Sequence, residues 1–218
     1  AFERCGSLLK FGGDALLLLF DGDDHPRQAA AAAVEMRAAL RAATQQPSSV
    51  GRVPLRMSVG LHSGTVQLFR VGTLHQELIV TGPAATRTTQ VEHAASVGEI
   101  LVSAETARRL PSGATRPGRG DASLLRWRRS PVEPAGSRPR RTVSPATVEA
   151  CLPEILRDHL RPGELDFEHR IAAVAFLRIA GVDGLLGSGG VDAAADSLHA
   201  VVGTVQADPA AGFDTNVR

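Results

Sequence analysis

The stretch LLKFGGDALLLLFDG, Leu8 to Gly22, constrains the fold of this chain more than any other. Two apolar runs flank Gly12-Gly13-Asp14, and so short a glycine-rich interruption predicts a strand, a tight turn and a second, fully buried strand. An acid at that turn has two readings. It is a turn former, because aspartate hydrogen-bonds its own neighbouring backbone, or it is a metal ligand. The lysine just before the turn, Lys10, is the only lysine in the chain. In a sequence that otherwise uses arginine, this hints at a need for a compact primary ammonium at that place.

The rest of the chain alternates helical and strand patterns. DDHPRQAAAAAVEMRAALRAA predicts a helix with Pro26 in its first turn and Ala33, Met36 and Leu40 on one face. LRMSVGLHSG alternates Leu55, Met57, Val59 and Leu61 against Arg56, Ser58, Gly60 and His62, the period of a half-buried strand. TVQLFRVG and QELIVTG predict a second strand pair. PAATRTTQVEHAASVG predicts a helix from Pro83 that ends at Gly98, EILVS a short buried strand, and SAETARRL a helix capped by Ser103. ASLLRWRR places Leu125 and Trp127 on one face of a last edge strand, with its charges in water.

After a Pro/Arg linker, Ser144-Pro145 opens a helix carrying Val148, Cys151, Leu152 and Ile155, which Pro153 is expected to kink. RIAAVAFLRIAG is expected to form a buried strand and GLLGSGG a loop. VDAAADSLHAVVGTVQ is expected to form an amphipathic helix with Ala194, Leu198 and Val201 on one side.

With 218 residues, 43% of them hydrophobic, the chain can bury a core in one or two domains. No apolar run approaches the roughly 20 residues of a membrane helix, so no membrane partner is expected. Cys5 and Cys151 fit neither a disulfide framework nor a zinc site, which favours a reducing, cytoplasmic setting. The first residues show no signal peptide, and the opening directly on a strand without methionine reads as a piece of something longer. Eight arginines against two acids lie between Arg116 and Arg141. A solvated strand and linker explain them better than a nucleic-acid site, so nucleic acid is not favoured as a partner. GSGG at Gly187 to Gly190 lacks the lysine of a P-loop.

Three stretches, in order, resemble the class III nucleotidyl cyclases. Lys10-Phe11-Gly12-Gly13-Asp14-Ala15-Leu16 resembles that family's lysine, two spacers, glycine, aspartate and apolar strand. LRMSVGLHSGTV resembles its R-x-G-I-H-x-G-x-V strand and turn, and ELIVTGPAATRTTQVEHAASVGEILVS its V-x-G-x-x-V-N-x-A-x-R-L-x-x-x-A-x-x-G-x-I-L-V-S block. The variety most resembled is the soluble, bicarbonate-type adenylyl cyclase with two cyclase domains in tandem. The resemblance implies an α/β (α+β) fold, a ferredoxin-like βαββαβ sheet with helices on one face. It implies conversion of ATP, or GTP in some members, to the 3′,5′-cyclic nucleotide and pyrophosphate with two divalent cations, Mg²⁺ or Mn²⁺.

On this resemblance Asp14 matches the second metal-binding carboxylate, Lys10, Gly12 and Gly13 lie on the substrate side, and the first carboxylate belongs to a strand before Ala1. No complete catalytic set is present. Thr86 and Gln90 stand where the family has its ribose-orienting asparagine and transition-state arginine, and Ile79 where it selects the base. These departures imply a metal-bearing half that needs a partner half, a second cyclase domain of the same chain. Its opening strand would be VAFLRIAGVDGLL, with Arg178 in place of a metal-binding aspartate.

The expected division is a first cyclase domain over 1–130, a linker and connecting helix over 131–168, and the start of a second cyclase domain over 169–218, with the fragment inactive alone. A pseudocyclase that binds nucleotide without turnover is the alternative. A further expectation is that Ile171 to Gln206 docks where the first domain's missing elements belong, setting Arg178 against Asp14. His62 matches the family's histidine in G-I-H-x-G, and a structural hydrogen-bonding role is expected for it.

Overall fold

The structure, a computed structural model, describes residues 1–43, 55–136, 142–153, 157 and 179–207. Its elements run β1 (Gly6–Gly12), β2 (Ala15–Phe20), α1 (His25–Ala43), β3 (Val59–Leu61), β4 (Gln67–Val71), β5 (Glu77–Thr81), α2 (Pro83–Ala94), β6 (Ile100–Val102), α3 (Ala104–Ala107), β7 (Thr115–Pro117), β8 (Ser123–Leu125), α4 (Pro145–Ala150), α5 (Val182–Ser188) and α6 (Gly190–Ala207). They fall into two compact units, one of Ala1–Thr65 with Pro83–Arg140 and one of Val66–Gly82 with Arg141–Arg218.

The first unit is built on the four-stranded order β3-β6-β8-β7, in which β3 and β6 are parallel and the other pairs antiparallel. Strand β6 is the centre of this unit because it has no polar face. Ile100 and Val102 pack with Ala30, Ala33 and Val34 of α1 and with Leu125, while Leu101 packs with Val91 of α2 and with Ala122. A strand covered on both sides must be apolar at every position, and all three residues are buried. Each such side chain stabilises the fold by about 1.5–3 kcal/mol. Alanines give α1 a high helix propensity and a thin seam, so the helix backbone sits close to the sheet. The same helix contacts β2 as well as β3, which holds the β1–β2 hairpin in this unit. The expected α/β architecture is present, with α2 adding cover on the second face of β6.

Four local expectations are corrected here. Leu55 to Ser58 is not strand, and Leu55 is exposed; only Val59–Leu61 has a hydrogen-bonding neighbour, β6. Strand β2 is half-buried or exposed rather than fully buried, because it pairs with β1 and meets α1 on one side. Strand β8 is interior, between β6 and β7, and the outer position falls to β7. Pro117, which has no N–H to donate, ends that outer strand. The helix that opens at Pro83 stops at Ala94, short of Gly98.

Arg4 explains why the first residues stay attached. Only 2% exposed, it donates from Nε to Glu35 Oε2 at 2.7 Å, from Nη1 to Gln28 Oε1 at 3.1 Å and from Nη2 to Ser130 Oγ at 3.1 Å. The hydrogen bond from Arg4, ahead of its charge, holds the Glu35 carboxyl below the usual carboxylate range. A folded pKa below the unfolded one contributes stability that is complete above about pH 4.3 and is lost as the pH falls through the folded value. The urea midpoint of the parent is therefore expected to fall more steeply between pH 5 and pH 3 than that of Glu35→Gln. Equal slopes would remove the pair from the account.

In the second unit β4 and β5 form an antiparallel ladder from Gln67↔Thr81 to Val71↔Glu77. Phe69 and Val71 meet Ala194 and Leu198 of α6, with Ile79, Val182, Leu185, Leu186, Ala195 and Val202 around them. The expected loop GLLGSGG is instead largely helix α5. Val182, Leu185 and Leu186 recur at i, i+3 and i+4, and the cluster they enter outweighs the poor helix propensity of Gly184 and Gly187. The expected face of α6 holds for Ala194 and Leu198, whereas Val201 is exposed and Val202 packs in its stead. Ser144 caps α4, accepting from Thr147 N at 3.2 Å. That helix ends at Ala150, so Pro153 lies beyond it and does not kink it, and it has no buried residue. Of the strand expected over 170–181, residues 170–178, Arg178 among them, lie outside the described residues, as does Ile155, and residues 179–181 are not strand.

Candidate functional site: the β1–β2 turn and the His62 network

The turn that raised the question of function is a two-residue hairpin loop. Gly12 pairs with Ala15, leaving Gly13 and Asp14 as the loop, and Gly13 has a φ of 66° whereas Asp14 has a negative φ. A left-handed first loop residue is the pattern of a II′ hairpin, which needs glycine there because a Cβ would clash with the backbone. Asp14 is thus held at the tip of a ladder, exposed, one residue past the glycine. Lys10 sits three pairs back from the loop, opposite Leu17, just after a bulge at Leu9. The structure brings Lys10, Gly12, Gly13 and Asp14 together on one hairpin tip, all four exposed.

The tip also carries what sequence reasoning missed. Phe11 and Leu16 stand directly opposite each other and are 68% and 52% exposed. A hairpin that ends in an uncovered apolar pair differs from the buried strand that the leucine run predicts.

A second cluster lies at the C-terminal ends of β3 and β6. His62 Nδ1 is 2.9 Å from Ser103 Oγ and 3.6 Å from Glu105 Oε2. Thr106 Oγ1 donates to Ser63 Oγ at 3.1 Å, and Ser103 Oγ accepts from Thr106 N as the N-cap of α3. Burial pushes the His62 imidazole below its ordinary pKa, opposed by Glu105 and reinforced by Arg87. The neutral ring ties the loop after β3 to the cap of α3, the hydrogen-bonding role the sequence suggested.

The other site positions lie on other elements. Thr86 and Gln90 lie exposed on α2, where Arg87 pairs with Asp121 and donates to Gln90 Oε1 at 3.4 Å. Ile79 is packed in the apolar cluster of the second unit. Among the described residues no three His, Cys, Asp or Glu side chains gather as a metal-holding group. A lone carboxylate such as Asp14 is not by itself a divalent-cation centre, which takes about six or more oxygen ligands. Among the described residues, no helix is long and apolar enough to cross a membrane.

A strand–turn–strand bearing an acid at its tip, followed by a sheet covered on both sides of β6, is a mixed α/β architecture. The model of the adenylate and guanylate cyclase catalytic domain matches residues 7–126. This chain belongs to that family. Similar solved structures include the guanylyl cyclase Cya2, at 26% identity over 56% of this chain and 69% of that one with a TM-score of 0.48. The adenylyl cyclase CyaB from P. aeruginosa matches at 19% identity over 59% and 76%, with a TM-score of 0.48. The guanylate cyclase domain of RhGC from Catenaria anguillulae, in complex with GTP, matches at 20% over 55% and 69%, with a TM-score of 0.45. No curated protein matches the chain.

Proposed function

We propose that this chain is the metal-bearing half of a tandem, soluble-type nucleotidyl cyclase that converts ATP to 3′,5′-cyclic AMP and pyrophosphate in the cytoplasm. The observation that carries the reading is the family match over residues 7–126; the Asp14 turn lies within it, and on the motif resemblance Thr86 and Gln90 stand where the family has its ribose and transition-state residues. Asp14 supplies one carboxylate to a pair of Mg²⁺ or Mn²⁺ ions. Bound there, the cations supply Lewis acidity at the triphosphate and lower the pKa of the ribose 3′-hydroxyl. The glycines at 12 and 13 leave room for phosphates to approach the backbone: a Cβ at either position would have nothing within 4 Å to meet. Lys10 adds a cation on the same tip.

The missing contributions come from a partner half. A threonine and a glutamine cannot neutralise charge that develops on the transferring phosphate, and Ile79 cannot hydrogen-bond a base. The exposed Phe11–Leu16 pair gives the tip an apolar surface suited to burial on such a partner. On this reading residues 1–130 are the first cyclase domain, 131–168 the connection, and 169–218 the opening of the second. The experiment is cyclic nucleotide formation from ATP and from GTP by this half, alone and combined with a half that carries the asparagine and arginine. Nucleotide binding with no product in any combination would favour a pseudocyclase.

A further inference from the structure

The first unit also has a strongly basic concavity among its described residues. An open groove of about 690 Å³ runs between the C-terminal half of α1 and the end of β8, and its lining includes Arg37, Arg41, Arg116, Arg126, Arg128 and Trp127. Among the described residues no acidic side chain lines it. The fold assembles this set from three elements. Arg37 and Arg41 share a face of α1 at i and i+4, Arg116 stands on β7 opposite Leu124, and Arg126 and Arg128 alternate along the extension of β8. Like charges at i and i+4 on a helix are unfavourable, and gathering five guanidinium groups in one concavity adds to that cost. A bound anion would offset it.

Two details make the groove a built site. Arg37 is half-buried, and its Nη1 and Nη2 donate to Gly98 O at 3.3 Å and Trp127 O at 3.0 Å, which fixes the plane of the guanidinium. Burial, then the charge of Arg41, pushes its pKa down. Trp127 packs with the apolar core of the unit, so one wall is rigid.

We propose that this groove is a second, separate ligand site of the chain, for a small phosphate-chain anion, free or borne by a nucleotide. Planar guanidinium forks match phosphate oxygens in pairs, which a single ammonium cannot do. The volume lies in the range of small-ligand pockets, and the convergence of arginines on one hollow differs from the stripe that tracks a nucleic-acid backbone. None of the hairpin-tip residues lines the groove, so the site does not depend on the metal-bearing turn.

Trp127 is the only tryptophan, so its fluorescence reports the groove directly. The protein is titrated with tripolyphosphate, ATP and a single-stranded oligonucleotide at constant ionic strength, with EDTA present to keep metal from the hairpin tip. A saturable change is expected, with the dissociation constant about tenfold weaker for each of Arg126→Gln and Arg128→Gln and unchanged for Asp14→Asn. Both arginines are exposed, so these variants are expected to keep the parent's far-ultraviolet circular dichroism. Equal affinity for tripolyphosphate and ATP assigns the phosphate chain alone, and tighter ATP binding assigns a nucleotide; either result supports the site. The proposal is overturned by a non-saturable response, by arginine variants that bind like the parent, by loss of binding in Asp14→Asn, or by an oligonucleotide that binds more tightly than either small anion.

Discussion

Asp14→Asn is expected to fold as the parent does and to lose cyclic nucleotide formation by at least about 10²-fold. The first half of the expectation comes from the turn. Asp14 is exposed in a two-residue hairpin loop whose conformation is set by Gly13, and asparagine is at home at such positions. The second half comes from charge. An amide keeps the shape of the carboxylate but not its negative charge, and a cation contributes several kcal/mol of transition-state stabilisation, with each 1.36 kcal/mol worth a factor of ten in rate. The assay compares parent and variant in protein that contains both halves, under saturating Mn²⁺. Thermal denaturation of the same samples separates a lost ligand from a lost fold. A variant with the parent's rate would return Asp14 to the role of turn former.

The largest effect on stability is expected at Gly60, in the middle of β3. A Cβ built there would lie 2.6 Å from Glu92 Cα and 2.8 Å from Glu92 Cβ, so the helix backbone of α2 and not a flexible side chain stands in the way. Ser58 Oγ donates to Glu92 Oε1 at 2.6 Å, which fastens the helix at the same level. Gly60→Ala can be accommodated only if α2 moves off the sheet, which would loosen Val91 from Leu101. A loss of about 3 kcal/mol is expected, at the upper end of overpacking costs. Gly12→Ala, where nothing lies within 4 Å and φ is not positive, is the matched control and is expected to change stability by less than about 0.5 kcal/mol. Chemical denaturation of the two variants beside the parent measures the contrast, and similar midpoints for both would contradict the close approach of β3 and α2.

Features set by neighbouring residues were legible in the sequence. The Gly13-Asp14 turn, the Ser103 and Ser144 caps and the apolar triplet Ile100 to Val102 all depend on chemistry within a few positions of the chain. Features set by distant partners were not. Leu16 looks like core until β2 is seen to pair with β1 and lean on α1 with Leu16 left 52% exposed, and Leu55 looks like strand until β6 is seen to pair no further back than Val59. Gly184 and Gly187 argue for a loop, yet the contacts of Val182, Leu185 and Leu186 with the β4–β5 cluster make that segment helical. The candidate site divides the same way. Local pattern and family resemblance led to Asp14, while the arginine groove draws on residues that lie up to 91 positions apart, from Arg37 to Arg128, and has no local signature.

The central claim is that this chain carries the metal-binding half of a cyclase and lacks the base-reading and transition-state half. The measurement that tests it most directly is the initial rate of 3′,5′-cyclic nucleotide formation, with ATP or GTP and Mn²⁺, for this half alone, for a half bearing the asparagine and arginine alone, and for the two together. The account predicts product only when the two are combined, and none when the first carries Asp14→Asn. Product from this half alone, or a combined rate untouched by Asp14→Asn, would contradict it.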